Sequence, residues 1–151
     1  MNRKTSGALI IATLIFNTPL SAKQRHKTNE PTAVRMEYPD RNMVAVTCQI
    51  KGAGRQYICV IDSGATHTII SDRVLKAEGP LVDLTTGNGV IQVHQREVSL
   101  TIADGLELKS KAFIEPKMMP PGVDILLGQD VLRQFRSVVF DYDNQRVEFH
   151  R

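Results

Sequence analysis

The sequence predicts a mostly β domain, a sandwich or barrel of many short strands with one or two short helices. Three observations carry that expectation. Short apolar or alternating runs, rich in Val, Ile, Leu and Phe, recur from Met43 to the C-terminus. Gly, Asn, Asp and Pro punctuate them at close intervals, as tight turns require. Two stretches alone carry a helix start in front of them, and both are too brief to build a helical layer.

In chain order, Val34 to Tyr38 is a first short strand. Met43 to Ile50 and Gln56 to Ile61 pair as a hairpin around Gly52-Ala53-Gly54. Thr68-Ile69-Ile70 is a third short run. Ser71 then reads as the N-cap of a brief helix, Asp72 to Glu78, closed by Gly79 and Pro80. Leu81 to Leu84 is β-like, and Thr85-Thr86-Gly87-Asn88-Gly89 signals a turn before Val90 to Val93. Val98, Leu100 and Ile102 alternate with Ser99 and Thr101, as in a half-buried strand. Asp104-Gly105 is a hairpin dipeptide, after which Leu106 and Leu108 resume the alternation, and Lys111 to Glu115 is a further strand. Met118 to Gly122 is a proline-rich loop. Ile125-Leu126-Leu127 is a wholly apolar strand stopped by Gly128. A short helix, Asp130 to Phe135, follows with its acid at the positive end. Val138 to Phe140 and Arg146 to Phe149 form the last hairpin.

The N-terminus differs from all of this. Asn2-Arg3-Lys4 is basic, Ala8 to Phe16 is unbroken apolar sequence, and Asn17 to Ala22 brings small and helix-breaking residues. That order is expected of a secretory signal peptide over residues 1–22. The apolar run falls short of the roughly 20 residues that span a bilayer, and no cysteine follows it, which excludes a lipoprotein anchor. An uncleaved membrane anchor and a buried strand are the other readings. The expected location is thus periplasmic or secreted, with no stable membrane span once the signal is removed. Residues 23–40 read as a flexible polar lead-in, and residues 41–151 as the single folded domain of a 151-residue chain.

Composition is that of an ordinary globular protein, 42% hydrophobic and 23% charged. Cleavage after Ala22 removes Arg3 and Lys4 and no acid, so much of the +3 formal charge belongs to the signal. No Lys/Arg stripe with interleaved aromatics remains, and no nucleic-acid partner is expected. Cys48 and Cys59 flank the Gly52–Gly54 turn almost symmetrically. A hairpin there sets them roughly opposite each other, within disulfide reach in an oxidising compartment. Two small buried hydrophobes that never bond is the other reading.

Chemistry enters at Cys59-Val60-Ile61-Asp62-Ser63-Gly64-Ala65-Thr66, where an apolar strand runs straight into a carboxylate, a hydroxyl and a glycine. An isolated Asp-Ser-Gly is most often a surface turn, because Asp and Ser bond their own backbone and Gly accepts positive φ. Apolar neighbours on both sides point instead to a buried loop, where an ionised Asp needs partners. Ile125-Leu126-Leu127-Gly128 alone is a core strand with a glycine stop, and Thr86-Gly87-Asn88-Gly89-Val90 alone is a turn.

In this order and spacing, the three segments resemble the retropepsin-like aspartic peptidases, over roughly Met43 to the C-terminus. That family carries an Asp-Thr/Ser-Gly-Ala loop, a glycine-bearing flap and a hydrophobic-hydrophobic-Gly motif before a short helix. Val131 to Tyr142 looks like its bacterial branch. The commoner family residue after the Asp is Thr, and this chain has Ser63. The resemblance implies a closed β-barrel with one or two short helices.

Aspartic peptidase chemistry needs two carboxylates sharing a proton, and this chain offers one such loop. Asp104-Gly105 lacks the intervening hydroxyl, and Asp124 precedes its apolar run. A symmetric homodimer supplies Asp62 twice, as the resemblance also implies. Asp62 is then the general acid/base. Ser63 braces the two loops, and the Gly64 N–H holds a carboxylate oxygen. Ala65, Thr66, Gly87, Asn88, Gly89 and Val90 line the peptide site, the flap glycines folding over an extended substrate strand. No metal or organic cofactor is expected: His67 and His94 match no zinc spacing. Two rivals stand beside this peptidase, a retropepsin-fold scaffold that cleaves nothing and an unrelated exported β-domain stapled by Cys48 and Cys59.

Overall fold

The computed structural model of the chain describes residues 30–40, 42–103, 105–115 and 119–151. The expected signal peptide, residues 23–29 of the lead-in, Asp104 and Met118 lie outside those residues. Among the described residues, ten strands and one short helix follow in order: β1 Thr32–Arg35, β2 Ala45–Ile50, β3 Gln56–Ile61, β4 Ile69–Ile70, β5 Leu81–Thr86, β6 Gly89–Ile102, β7 Leu106–Ile114, β8 Ile125–Leu127, α1 Gln129–Leu132, β9 Ser137–Asp141 and β10 Arg146–His150.

Seven strands form one sheet in the order β2-β3-β8-β4-β7-β6-β5, and an additional β2–β6 pairing joins Cys48–Ile50 to Leu100–Ile102. That pairing closes six strands into a ring and leaves β5 hanging from β6. The mostly β, retropepsin-like architecture expected from the sequence is therefore present. Inward positions fill the ring by strict alternation: Leu100 and Ile102 of β6 and Leu108 of β7 are almost wholly buried. They meet Val46, Ile125 and Leu127 in one core cluster. The other sheet, β1-β10-β9, lays Val147 and Phe149 onto the same cluster. At the tip of its β9–β10 hairpin, Asp141 accepts hydrogen bonds from Asn144 and Arg146, and the Asn144 bonds above all hold its carboxyl below the usual range.

Three expectations are corrected. Asp72 to Glu78 is not a helix. The Ser71 carbonyl accepts from the Val74 and Leu75 N–H groups, making a single turn. Arg73 meanwhile ties back to the Ser71 hydroxyl through both its N–H and its Nε. Too few residues precede Gly79-Pro80 to offset the cost of helix nucleation. The second helix begins at Gln129 and ends at Leu132, before Phe135. Val90–Val93 and Val98–Ile102 are one strand rather than two, because the polar residues between them continue the β7 ladder from His94↔Ile114 onward.

Cys48 and Cys59 form a disulfide. The hairpin register pairs Cys48 with Tyr57 and Val46 with Cys59. The bridge therefore runs diagonally rather than directly across, with the Cα atoms 6.0 Å apart. Both residues face the core of the ring.

Two stretches of backbone approach closely where β8 ends. Gly128 passes over the peptide of His67, and a Cβ there would stand 2.5 Å from the His67 carbonyl oxygen and 2.9 Å from its nitrogen. No side chain fits between two backbones at that distance. A Gly128→Ala variant is expected to lose about 2–3 kcal/mol or to misassemble, and chemical denaturation measures it. Opening the Cys48–Cys59 bridge, which closes a sequence separation of 11, should cost about 3 kcal/mol. Thermal melts with and without reductant read that loss as a lower midpoint with the β signal retained.

Candidate active site

β3 carries the chain into the site. It pairs in parallel with β8, Cys59 to Ile125 through Ile61 to Leu127, and the ladder ends as the Asp62 N–H donates to the Leu127 carbonyl at 3.0 Å. The backbone then turns: Ala65 N–H returns to the Asp62 carbonyl at 3.3 Å. Within that turn the Gly64 N–H donates to Asp62 Oδ1 at 2.8 Å. Oδ2 takes no hydrogen bond among the described residues.

The start of α1 clamps the far side of the loop. Gln129 N–H donates to the Ala65 carbonyl at 2.8 Å and Asp130 N–H to the Thr66 carbonyl at 3.3 Å. The Gln129 side-chain amide donates to the Ser63 carbonyl at 2.7 Å. Beneath lies a polar knot. The wholly buried Thr68 hydroxyl accepts from Gly128 N–H at 3.2 Å and donates to Asp130 Oδ1 at 2.9 Å, while the Ser110 hydroxyl donates to Asp130 Oδ2 at 2.5 Å. Both carboxylate oxygens of Asp130 are thus used, which is what a half-buried charge requires. Sequence reasoning placed Asp130 at a helix start and missed this duty. The usable signal was a hydroxyl at Thr68 before an apolar pair, and a lone Ser110 in the inward register of β7. Gln129 carried no signal at all.

Asp62 through Thr66 are therefore brought together as one braced loop. Its exposure differs from the expectation. Asp62 and Ala65 are half-buried, while Ser63, Gly64 and Thr66 are open to solvent. The apolar flanks belong to β3 and to Ile69–Ile70 below the loop, so burial stops at its base. Next to it, His67 lies 4.6 Å from the ring of Phe113 and its Nδ1 meets the Thr66 hydroxyl at 2.9 Å.

Gly87, Asn88, Gly89 and Val90 sit elsewhere, at the exposed tip of the β5–β6 hairpin. Gly87-Asn88 is a two-residue turn between paired Thr86 and Gly89, and Gly89 takes φ +117°. The Thr86 hydroxyl donates to the Gly89 carbonyl at 2.9 Å and accepts from Asn88 N–H at 3.2 Å. No hydrogen bond among the described residues joins this tip to the Asp62 loop. The hairpin does border a cleft of about 600 Å³, walled by Leu81, Ile91, Val93 and Ile114 with His94 and Glu115 at its polar end. Asp62 is not among its lining residues.

Among the described residues, no group of three or more His, Cys, Asp or Glu side chains could hold a metal ion, and no helix is long and apolar enough to cross a membrane. A single carboxylate oriented by a backbone N–H can take or give a proton, but alone it cannot do both at once on one substrate.

A comparison with curated proteins finds no match. A comparison with protein families matches residues 46–134 to gag-polyprotein putative aspartyl protease. The match runs from the second residue of β2 to just past α1, so it contains the Asp62 loop, the β5–β6 hairpin and the Gly128 crossing. With more than half of its length covered in that way, the chain belongs to this family of retropepsin-like aspartyl proteases.

Proposed function

We propose that the protein is an exported aspartic endopeptidase whose catalytic dyad is Asp62 and the same residue of a second copy. The observation that carries this reading is the Asp62 loop itself. It is rigidly braced from below, has one carboxylate oxygen held by Gly64 N–H, and is open on the face where a second loop would stand. Two carboxylates brought face to face cannot both be ionised, so they share one proton. The ionised member takes a proton from water as its oxygen attacks the scissile carbonyl. The protonated member gives its proton to the carbonyl oxygen. Collapse of the tetrahedral intermediate then returns a proton to the leaving amine. The chemistry is complete without a metal or an organic group.

Ser63, exposed beside Asp62, would brace one loop against the other. The second copy also finds surface elsewhere: β9 is an edge strand, with Val139 42% and Phe140 37% exposed along it. An unpaired apolar edge invites another strand. The hairpin tip at Gly87 to Val90 is the element expected to cover an extended peptide, which would add backbone hydrogen bonds as a further strand does. Export is supported by the N-terminal basic-apolar-small pattern and by the disulfide, which persists in an oxidising compartment. An Asx turn alone would serve a silent scaffold equally well, so the catalytic reading rests on the bracing of the whole loop by the start of α1.

Asp62→Asn should lower kcat on a mixed peptide library by ~10³-fold or more while leaving the far-UV dichroism and dimer content unchanged. Cleavage that survives in that variant refutes the mechanism. Equilibrating wild type with an equal amount of Asp62→Asn should reduce activity per wild-type chain to about half, because mixed dimers hold one carboxylate. Activity per wild-type chain that stays constant on mixing, or a monomer at high concentration by light scattering, would contradict a shared site.

A further inference from the structure

A peptide unit is planar, so its carbonyl and the following N–H cannot turn independently. In the Asp62 loop, the carbonyl of Ser63 and the N–H of Gly64 belong to one such plane. The N–H end donates to Asp62 Oδ1 at 2.8 Å. The carbonyl end accepts from Gln129 Nε2 at 2.7 Å. A side chain on α1 therefore grips one end of a rigid plate whose other end aims at the carboxylate.

The orientation of that side chain is fixed by chemistry. Gln129 Oε1 accepts from Arg133 Nε at 3.3 Å, one helical turn on. Arginine can only donate and a carbonyl can only accept, so the amide oxygen must face Arg133 and the amide nitrogen must face Ser63. The backbone N–H of Gln129, bonded to the Ala65 carbonyl at 2.8 Å, keeps the side chain within reach. Gln129 touches no reacting atom, and the Thr68–Asp130–Ser110 knot already secures the base of the loop.

We propose that Gln129 is a positioning residue for Asp62, acting through the Ser63–Gly64 peptide plane. The proposal rests on Asp62 being the catalytic carboxylate. Losing the amide donor frees the plane to rock and lengthens the Gly64–Asp62 bond. The carboxylate then turns away from the geometry in which it meets water and its symmetry mate. Gln129 is not among the residues expected to line the peptide site, so the loss falls on kcat more than on KM.

Gln129→Met keeps the length and apolar stem and removes the donor. Amide exchange followed by NMR should show Gly64 exchanging roughly tenfold faster, the equivalent of one hydrogen bond, while the Val131 and Leu132 amides of α1 and the thermal midpoint stay as in wild type. In the same variant kcat should fall about tenfold with KM unchanged. Arg133→Ala, on the exposed side of α1, should shift both readouts in the same direction by less, and it decides the matter if Gln129→Met misfolds. Gly64 exchange equal to wild type in the folded variant overturns the proposal, as does a kcat loss matched by a general loss of stability. Exchange needs no turnover, so a wild-type chain that cleaves nothing refutes the peptidase and leaves this test standing.

Discussion

Two stretches of backbone sixty-one positions apart, at His67 and Gly128, share a space that admits no side chain. Everything at the site is arranged around that contact. Because Gly128 can lie on the His67 peptide, the end of β8 reaches the end of β3. The Asp62 N–H then closes the ladder on Leu127, and α1 starts directly under the loop. The first residues of α1 hand two backbone N–H groups to the Ala65 and Thr66 carbonyls. A loop that would otherwise leave its carbonyls to water is instead hydrogen-bonded along its whole inner side. The glycine matters here for its missing Cβ alone, since its φ of −93° is open to any residue.

The strands that bear on the site were the most legible part of the chain. Gln56–Ile61 and Ile125–Leu127 are found with the bounds their sequences suggest, because a short, largely apolar run ending at Asp or Gly leaves little choice of where the strand stops. Asp72 to Glu78 was misread for the opposite reason. A local cap signal was present at Ser71, but the Arg73 side chain and the Gly79-Pro80 stop compete with helix there, and tertiary context decided. The disulfide was legible as a pair and illegible in register. A shift of the turn by one position moved the two cysteines from opposite to diagonal, still on one face because the strand period is two. Asp62 and its Gly64 partner are local in sequence. Thr68, Ser110, Gln129 and Asp130 act across the fold: Thr68 and Ser110 leave only the faint signal of a hydroxyl at an inward position, Asp130 that of a helix start, and Gln129 none.

The contrast between the two ends of Asp62's environment is physical. Below it, polar groups are paired almost to completion: Asp130 spends both oxygens on hydroxyls, and Thr68 both accepts and donates. Above it, Ser63, Gly64 and Thr66 face solvent and Oδ2 has no partner among the described residues. A foundation so fully satisfied would be poorly used to hold a loop whose working face stayed wet, because a hydrated carboxylate is an ordinary weak base. In the proposed dimer, a second chain would exclude water from that face, strengthen the interactions there and make two like charges share a proton.

This asymmetry also explains why Ser63 can stand where the family more often has Thr. The Thr methyl would stiffen χ1 and so help fix the hydroxyl. In this chain the peptide that follows residue 63 is already gripped, by Gln129 at its carbonyl and by Asp62 at its N–H. Rigidity that a β-branched side chain would lend from within is applied from outside, through a plane that cannot twist. The side chain of residue 63 is thereby relieved of holding its own backbone. In the proposed dimer it would need only to reach across to the neighbouring loop, a task for which an unbranched hydroxyl suffices.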